Sequence, residues 1–140
     1  MKTWLKCIGS AKKPITGECS VEQVGFRRKG KPSIQKEHIL FLYAPGVRRI
    51  FALAEVVGDP QDDPDYNQKI DGSCRWKLPV RYLINLPVAA GILLEDIRCS
   101  RDLRLSVRQA SHLELRADES QLADRKLQEA NKKFQEKQSA

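Results

Sequence analysis

The chain has 140 residues, of which 41% are hydrophobic and 31% charged. That length and balance suit one globular domain with its own core and exclude a disordered class. Lys and Arg number 25 against 18 Asp and Glu, a formal net charge of +7.

The excess is uneven. Residues 1–36 carry nine basic side chains against two acidic ones, and residues 37–72 carry three against seven. Residues 73–116 carry eight against four, and residues 117–140 balance. Clustered Lys and Arg neutralise phosphates and release counterions, so a polyanion is the natural partner, the alternative being a merely solvated surface. Cys7, Cys19, Cys74 and Cys99 form no CxxC pair, and only His38 and His112 could assist them. Metal-ligand spacing is therefore absent and no cofactor is expected. The start, MKTWLKCIGSAKKP, lacks an apolar stretch of signal length, and no segment approaches a membrane span. The expectation is a cytoplasmic protein with free thiols and no membrane partner.

Thr3–Ile8 alternates around Trp4 and reads as a strand. Residues 9–18 hold Gly9, Ser10, Pro14 and Gly17 and read as a loop. Ser20, with Gln23 three residues on, predicts a short capped helix to Phe26, followed by a basic turn from Arg27 to Pro32. Residues 38–57, HILFLYAPGVRRIFALAEVV, place two apolar runs around Ala44–Pro45–Gly46 and predict a β-hairpin. Residues 58–74 are rich in Asp, Gly and Pro and predict a long surface loop. In residues 75–86, Trp76, Leu78, Val80, Tyr82 and Ile84 alternate with Arg75, Lys77, Pro79 and Arg81. That predicts a half-buried strand with a basic outer face, at an edge or bulged near Pro79. Pro87–Leu94 reads as a turn and short segment, Arg101–Gln109 as a short helix, and His112–Leu115 as a strand. A last helix is expected over 117–135, opened by Asp118 with Gln121 completing its cap, followed by a frayed tail. Its Leu122, Leu127, Ala130 and Phe134 share a face that docks on the body. The class is α+β in a single domain, 1–140.

No Gly-rich phosphate loop or nucleophile elbow occurs, so self-contained catalysis is not expected. Asp62, Asp63 and Asp65 lack the Gly and Glu positions of a calcium loop and read as solvated. Binding chemistry is better represented. Trp4, Phe26, Tyr43, Trp76 and Tyr82 offer π-faces near basic residues, although Trp76 and Tyr82 also suit a core. Tyr43 ends a strand beside a Pro-Gly turn, where a ring can line a pocket mouth. Arg108, Gln109 and Ser111 form a polar island between apolar segments; they suit a base edge or phosphate, or else brace the following strand. Arg27, Arg28, Lys29 and Arg81 are the candidate phosphate-holding residues.

Taken in order, MKTWL, SVEQV, the hairpin ending in Ala54–Glu55–Val56, RWKLPVRYLINLPVAAG, SVRQASHLEL and RADESQL make a recognisable series. Over about residues 2–125 the chain resembles the EVE domain, a relative of the YTH, ASCH and PUA domains. The resemblance implies a PUA-like mixed β-barrel of about five or six strands with peripheral helices, binding DNA or RNA through a modified base. It implies a pocket near Gly9 and Ser10, Tyr43 with Ala44, and Arg108, Gln109 and Ser111. Phe26 and Trp76 complete the candidate set. EVE domains carry a Trp-Asp-Gly-Val-Arg-type segment after the first helix. Here Gly25–Phe26–Arg27–Arg28–Lys29 stands in that place, so either Phe26 replaces the Trp or the cage is incomplete.

Three functions compete: a reader of a flipped or single-stranded modified base, an ASCH-like ribonuclease or RNA-processing enzyme, and a small adaptor docking a partner protein through its last helix. Cleavage of labelled RNA separates the second from the first. Size exclusion with and without residues 117–140 addresses the third.

Overall fold

The computed structural model describes residues 2–8, 23–26, 33–62, 67–68, 72–73, 76–97, 103 and 112–139. The described strands are β1 (Thr3–Cys7), β2 (Gln23–Phe26), β3 (Ile39–Ala44), β4 (Arg49–Val56), β5 (Gln61–Asp62), β6 (Asn67–Gln68), β7 (Gly72–Ser73), β8 (Trp76–Asn85), β9 (Ile92–Leu93) and β10 (His112–Glu114). One long helix, α1 (Ala117–Ser139), ends the chain. The main sheet runs β10-β1-β3-β4-β8-β2; β5 pairs with β8 and β9 with β4, while β6 and β7 pair separately. Only β1 and β3 run parallel along that path, so the sheet is mixed. Its end strands, β10 and β2, are not paired with each other among the described residues.

The β3–β4 hairpin reads as near-continuous hydrophobic sequence because both faces of the sheet are covered there. Leu40, Leu42, Ala44, Ala54 and Val56 join Trp4, Ile8, Leu78 and Val80 in a first core. Phe41, Tyr43, Ile50 and Leu53 join Leu5, Ile84 and Leu86 in a second. Helix α1 packs on the second core through Ala123 and Leu127, with Leu122, Ala130 and Phe134 alongside. These residues recur every three or four positions, as an α-helix facing a sheet requires.

Two bulges decide which residues enter which core. Leu42 pairs with Ala52 but Tyr43 pairs with Ile50, so Phe51 is the extra residue, and it packs beside Ala52 in the first core. Leu53 pairs with Ile84 but Ala54 with Tyr82, so Leu83 is extra and stands 50% exposed. A bulge resets the alternation of side chains. Trp76, Leu78, Val80 and Tyr82 therefore share the first face as expected, while Ile84 crosses to the second core.

The hairpin tip is tight. Arg48 N donates to Ala44 O at 2.9 Å, with Gly46 at φ 89° and Arg48 at φ 58°. Arg49 Nη1 donates to Gly91 O at 2.6 Å. Gly91 lies so close to β4 that a Cβ would overlap the Ile50 carbonyl, which is why this position accepts no side chain.

Five local expectations are corrected. Residues 23–26 are a strand and not the end of a helix, because they pair with β8 from Gln23↔Pro79 to Phe26↔Trp76. A ladder with a long neighbour outweighs a local cap signal. The acidic loop contains the short strands β5, β6 and β7. Pro79 lies inside the sheet, not at an edge, and the bulge falls at Leu83. Its carbonyl accepts from Val57 N at 3.0 Å, just past the last β4–β8 pair, so its missing N–H falls where the β4 ladder has ended. Helix α1 starts at Ala117 and is capped by Glu119, not Gln121: Glu119 Oε1 accepts from Arg116 N at 2.8 Å, half of a capping box. The helix continues past Gln135 to Ser139, with Lys137 in the last turn complementing the dipole. The predicted loop at 9–18, basic turn at 27–32 and helix at 101–109 lie outside the described residues, apart from Leu103.

Candidate functional site

Strand directions bring several segments to one end of the sheet. β1 and β3 are parallel, with Cys7 opposite Tyr43, so both finish there. β10 is antiparallel to β1, with Lys6 opposite His112, so it begins there. The hairpin tip and β9 border the same end, because Arg49 pairs with both Ala44 and Leu93. The chain leaves β1 at Ile8, two residues before Ser10, and enters β10 at His112, one residue after Ser111. Ser10, Arg108, Gln109 and Ser111 themselves lie outside the described residues.

Tyr43 and Ala44 are both at this end but on opposite faces, as successive strand residues must be. Ala44 belongs to the first core and Tyr43, 5% exposed, to the second. Burial pushes the Tyr43 phenol above its ordinary range; Cys7 adds to the shift and Arg48 opposes it. Phe26 and Trp76 sit opposite each other in register at the other end of the sheet, since β8 runs from Trp76 up to the Asn85–Ala52 pair. Trp76 packs partly buried against the first core. Of the phosphate-holding candidates, Arg27, Arg28 and Lys29 lie outside the described residues, and Arg81 is exposed and ion-paired with Glu55 at 2.6 Å.

A second grouping has no signature in residue type alone. Both histidines meet Trp4, the chain's first tryptophan, from opposite ends of the sequence. His38 stacks on it with centroids 6.2 Å apart, and the tilted His112 ring lies 5.7 Å away. Trp4 Nε1 donates to His38 Nδ1 at 3.1 Å, and Gln35 N donates to the same nitrogen at 3.1 Å. An Nδ1 that accepts twice leaves the ring proton on Nε2. Lys6, two residues beyond Trp4 on the same face, is only 3% exposed. The period-2 pattern of Thr3–Ile8 already places Trp4, Lys6 and Ile8 together, and that is the available signal.

Burial pushes the His38 pKa below 6.5, helped by Lys2 and opposed by Glu114. The unfolded chain therefore takes up a proton that the folded one resists. Stability is unaffected above about pH 6.5 and falls as pH drops through the lowered folded value. Thermal melts from pH 7.5 to 5 should show this loss, and His38→Gln should flatten its share of the profile. A profile unchanged by the substitution would show that His38 does not titrate with folding.

Among the described residues no group of three or more His, Cys, Asp or Glu is arranged to hold a metal ion, and Cys7 forms no disulfide. No helix among them is long and apolar enough to cross a membrane. Compared with models of protein families, with curated proteins and with solved structures, the chain matches none.

Proposed function

We propose that this chain is a nucleic-acid-binding module that recognises a base, a modified one on the EVE-like reading, at the sheet end where β1 and β3 finish and β10 begins. The observation that carries the reading is the convergence of those three strand ends. The segments that run on from two of them contain Ser10 and Arg108, Gln109 and Ser111, and β3 itself ends in Tyr43 and Ala44. Arg27, Arg28, Lys29 and Arg81 are the residues that would hold phosphates, within a chain whose first 36 residues carry nine basic side chains. On the same reading the mixed sheet is the wall of a PUA-like barrel, the ligand is DNA or RNA, and the protein works in the cytoplasm without a cofactor.

The test is a binding array of modified and unmodified DNA and RNA oligonucleotides at fixed salt, repeated across salt concentrations. The parent should prefer one modified base. Arg28→Glu with Lys29→Glu should weaken binding to every oligonucleotide and lower the salt slope by about 0.7 to 0.9 for each phosphate no longer neutralised. Unchanged affinity and slope would remove these residues from the interface. Cleavage of the labelled RNA would favour the ribonuclease reading instead.

A further inference from the structure

Two arginines stand side by side at the tip of the β3–β4 hairpin, and their surroundings differ. Arg49 is half-buried and committed to the fold, its Nη1 donating to Gly91 O at 2.6 Å. Val47, on the other side, packs against the first core. Arg48, between these two anchored residues, is exposed. Its guanidinium makes no hydrogen bond or ion pair among the described residues.

The backbone that carries this side chain is fixed from both sides. Arg48 N donates to Ala44 O at 2.9 Å, and Arg48 O accepts from Leu94 N at 3.0 Å. The residue is held at φ 58°, in the left-handed region where a Cβ is strained and glycine or asparagine is the usual occupant. A glycine would close the turn with less strain. What arginine adds is a guanidinium on a rigid support at the surface, so little backbone freedom is lost when it meets a ligand. The position is at the sheet end assigned above to the base. Arg48 bonds directly to Ala44, and its charge reaches Tyr43, whose phenol burial pushes up and Arg48 pulls down.

We propose that Arg48 is a ligand-contacting residue, whose guanidinium holds a phosphate next to the recognised base at the sheet end where β1 and β3 finish. This rests on the nucleic-acid reading and adds to it a phosphate contact outside the basic first 36 residues. A guanidinium is a planar fork of donors that matches two phosphate oxygens at once. Every nucleotide carries that phosphate, so the contact strengthens binding and fixes register without choosing the base.

The experiment compares the parent with Arg48→Gln, Arg48→Lys and Arg48→Gly on oligonucleotides that differ in one base, across salt concentrations, with a thermal melt of each variant. Arg48→Gln should bind every oligonucleotide roughly five- to tenfold more weakly, with the salt slope lowered by about 0.7 to 0.9. Arg48→Lys keeps the charge and should keep the slope. Arg48→Gly should lose as much affinity as Arg48→Gln while melting at or above the parent's temperature, because glycine relieves the positive φ. If the parent binds no oligonucleotide, the function and the Arg48 assignment fall together. If the parent binds and Arg48→Gln keeps its affinity and slope, the Arg48 assignment alone falls. A loss confined to one base would make Arg48 a base contact and overturn the phosphate. Lower melting temperatures for both Arg48→Gln and Arg48→Gly, with affinity restored on cooling to where they are fully folded, would place the side chain in the turn and not at the interface.

Discussion

Phe51→Ala should lower the unfolding free energy by about 3–5 kcal/mol, among the largest costs of any single truncation in the chain. Phe51 is fully buried. The bulge between its neighbours' register pairs turns it into the first core beside Ala52, where strict alternation would have sent it to the other face. Its backbone is held there as well, since Phe51 O accepts from Leu86 N at 3.0 Å. Truncation leaves a ring-sized void that the neighbouring β3, β4 and β8 ladders keep from collapsing. Leu83 is the matched control, because it is the extra residue of the second bulge but half exposed. Leu83→Ala should change stability by no more than about 0.5 kcal/mol. Urea melts read both, with a shifted midpoint and an unchanged slope for Phe51→Ala. Equal midpoints for the two variants would show that the first bulge does not deliver Phe51 to the core.

Tyr43→Ala should also act first on stability, by about 3 kcal/mol or more, because the ring packs in the second core with Leu5, Phe41 and Ile50. A stacked base would instead cost about 1–3 kcal/mol of affinity. Both readings are measurable on one variant, with affinity taken at a temperature where it is fully folded. Affinity within a few-fold of the parent assigns the ring to the core; a loss across all bases assigns it to the pocket. Alkaline melts supply a second check. The folded phenol titrates above its ordinary range because burial disfavours its anion. Stability from this group is complete below about pH 10 and is lost as pH rises through the raised folded value. Tyr43→Phe should remove that alkaline loss, and a variant profile matching the parent would contradict the burial.

The site is less legible in the sequence than the fold, for a physical reason. Tyr43 and Ser111 stand out by type and setting, while Ser10 and Ala44 enter only through the resemblance, and neither route says at which end of a sheet a residue stands. The parallel pairing of β1 with β3 settles that for Tyr43 and Ala44, and the register Phe26↔Trp76 puts the other two aromatic candidates at the opposite end. The burial of Lys6 is not legible either, because a lysine in a short alternating strand reads as solvated, and its cover comes from strands far away in sequence.

By itself the sequence determined the elements whose signal is local: the first strand, the hairpin around Ala44–Pro45–Gly46, the long strand from Trp76 and the docking face of the last helix. Periodicity and turn chemistry act over a few residues and need no partner to be read. The tertiary structure alone decided what depends on a neighbour. It made residues 23–26 a strand because β8 offers them a ladder. It sent Phe51 inward and Leu83 outward because the facing strands were out of step by one residue. It also enclosed Lys6, because β10, arriving from more than a hundred residues away, pairs beside it. Alternation fixes which residues share a face, but only the packing of distant strands decides whether that face meets water or protein.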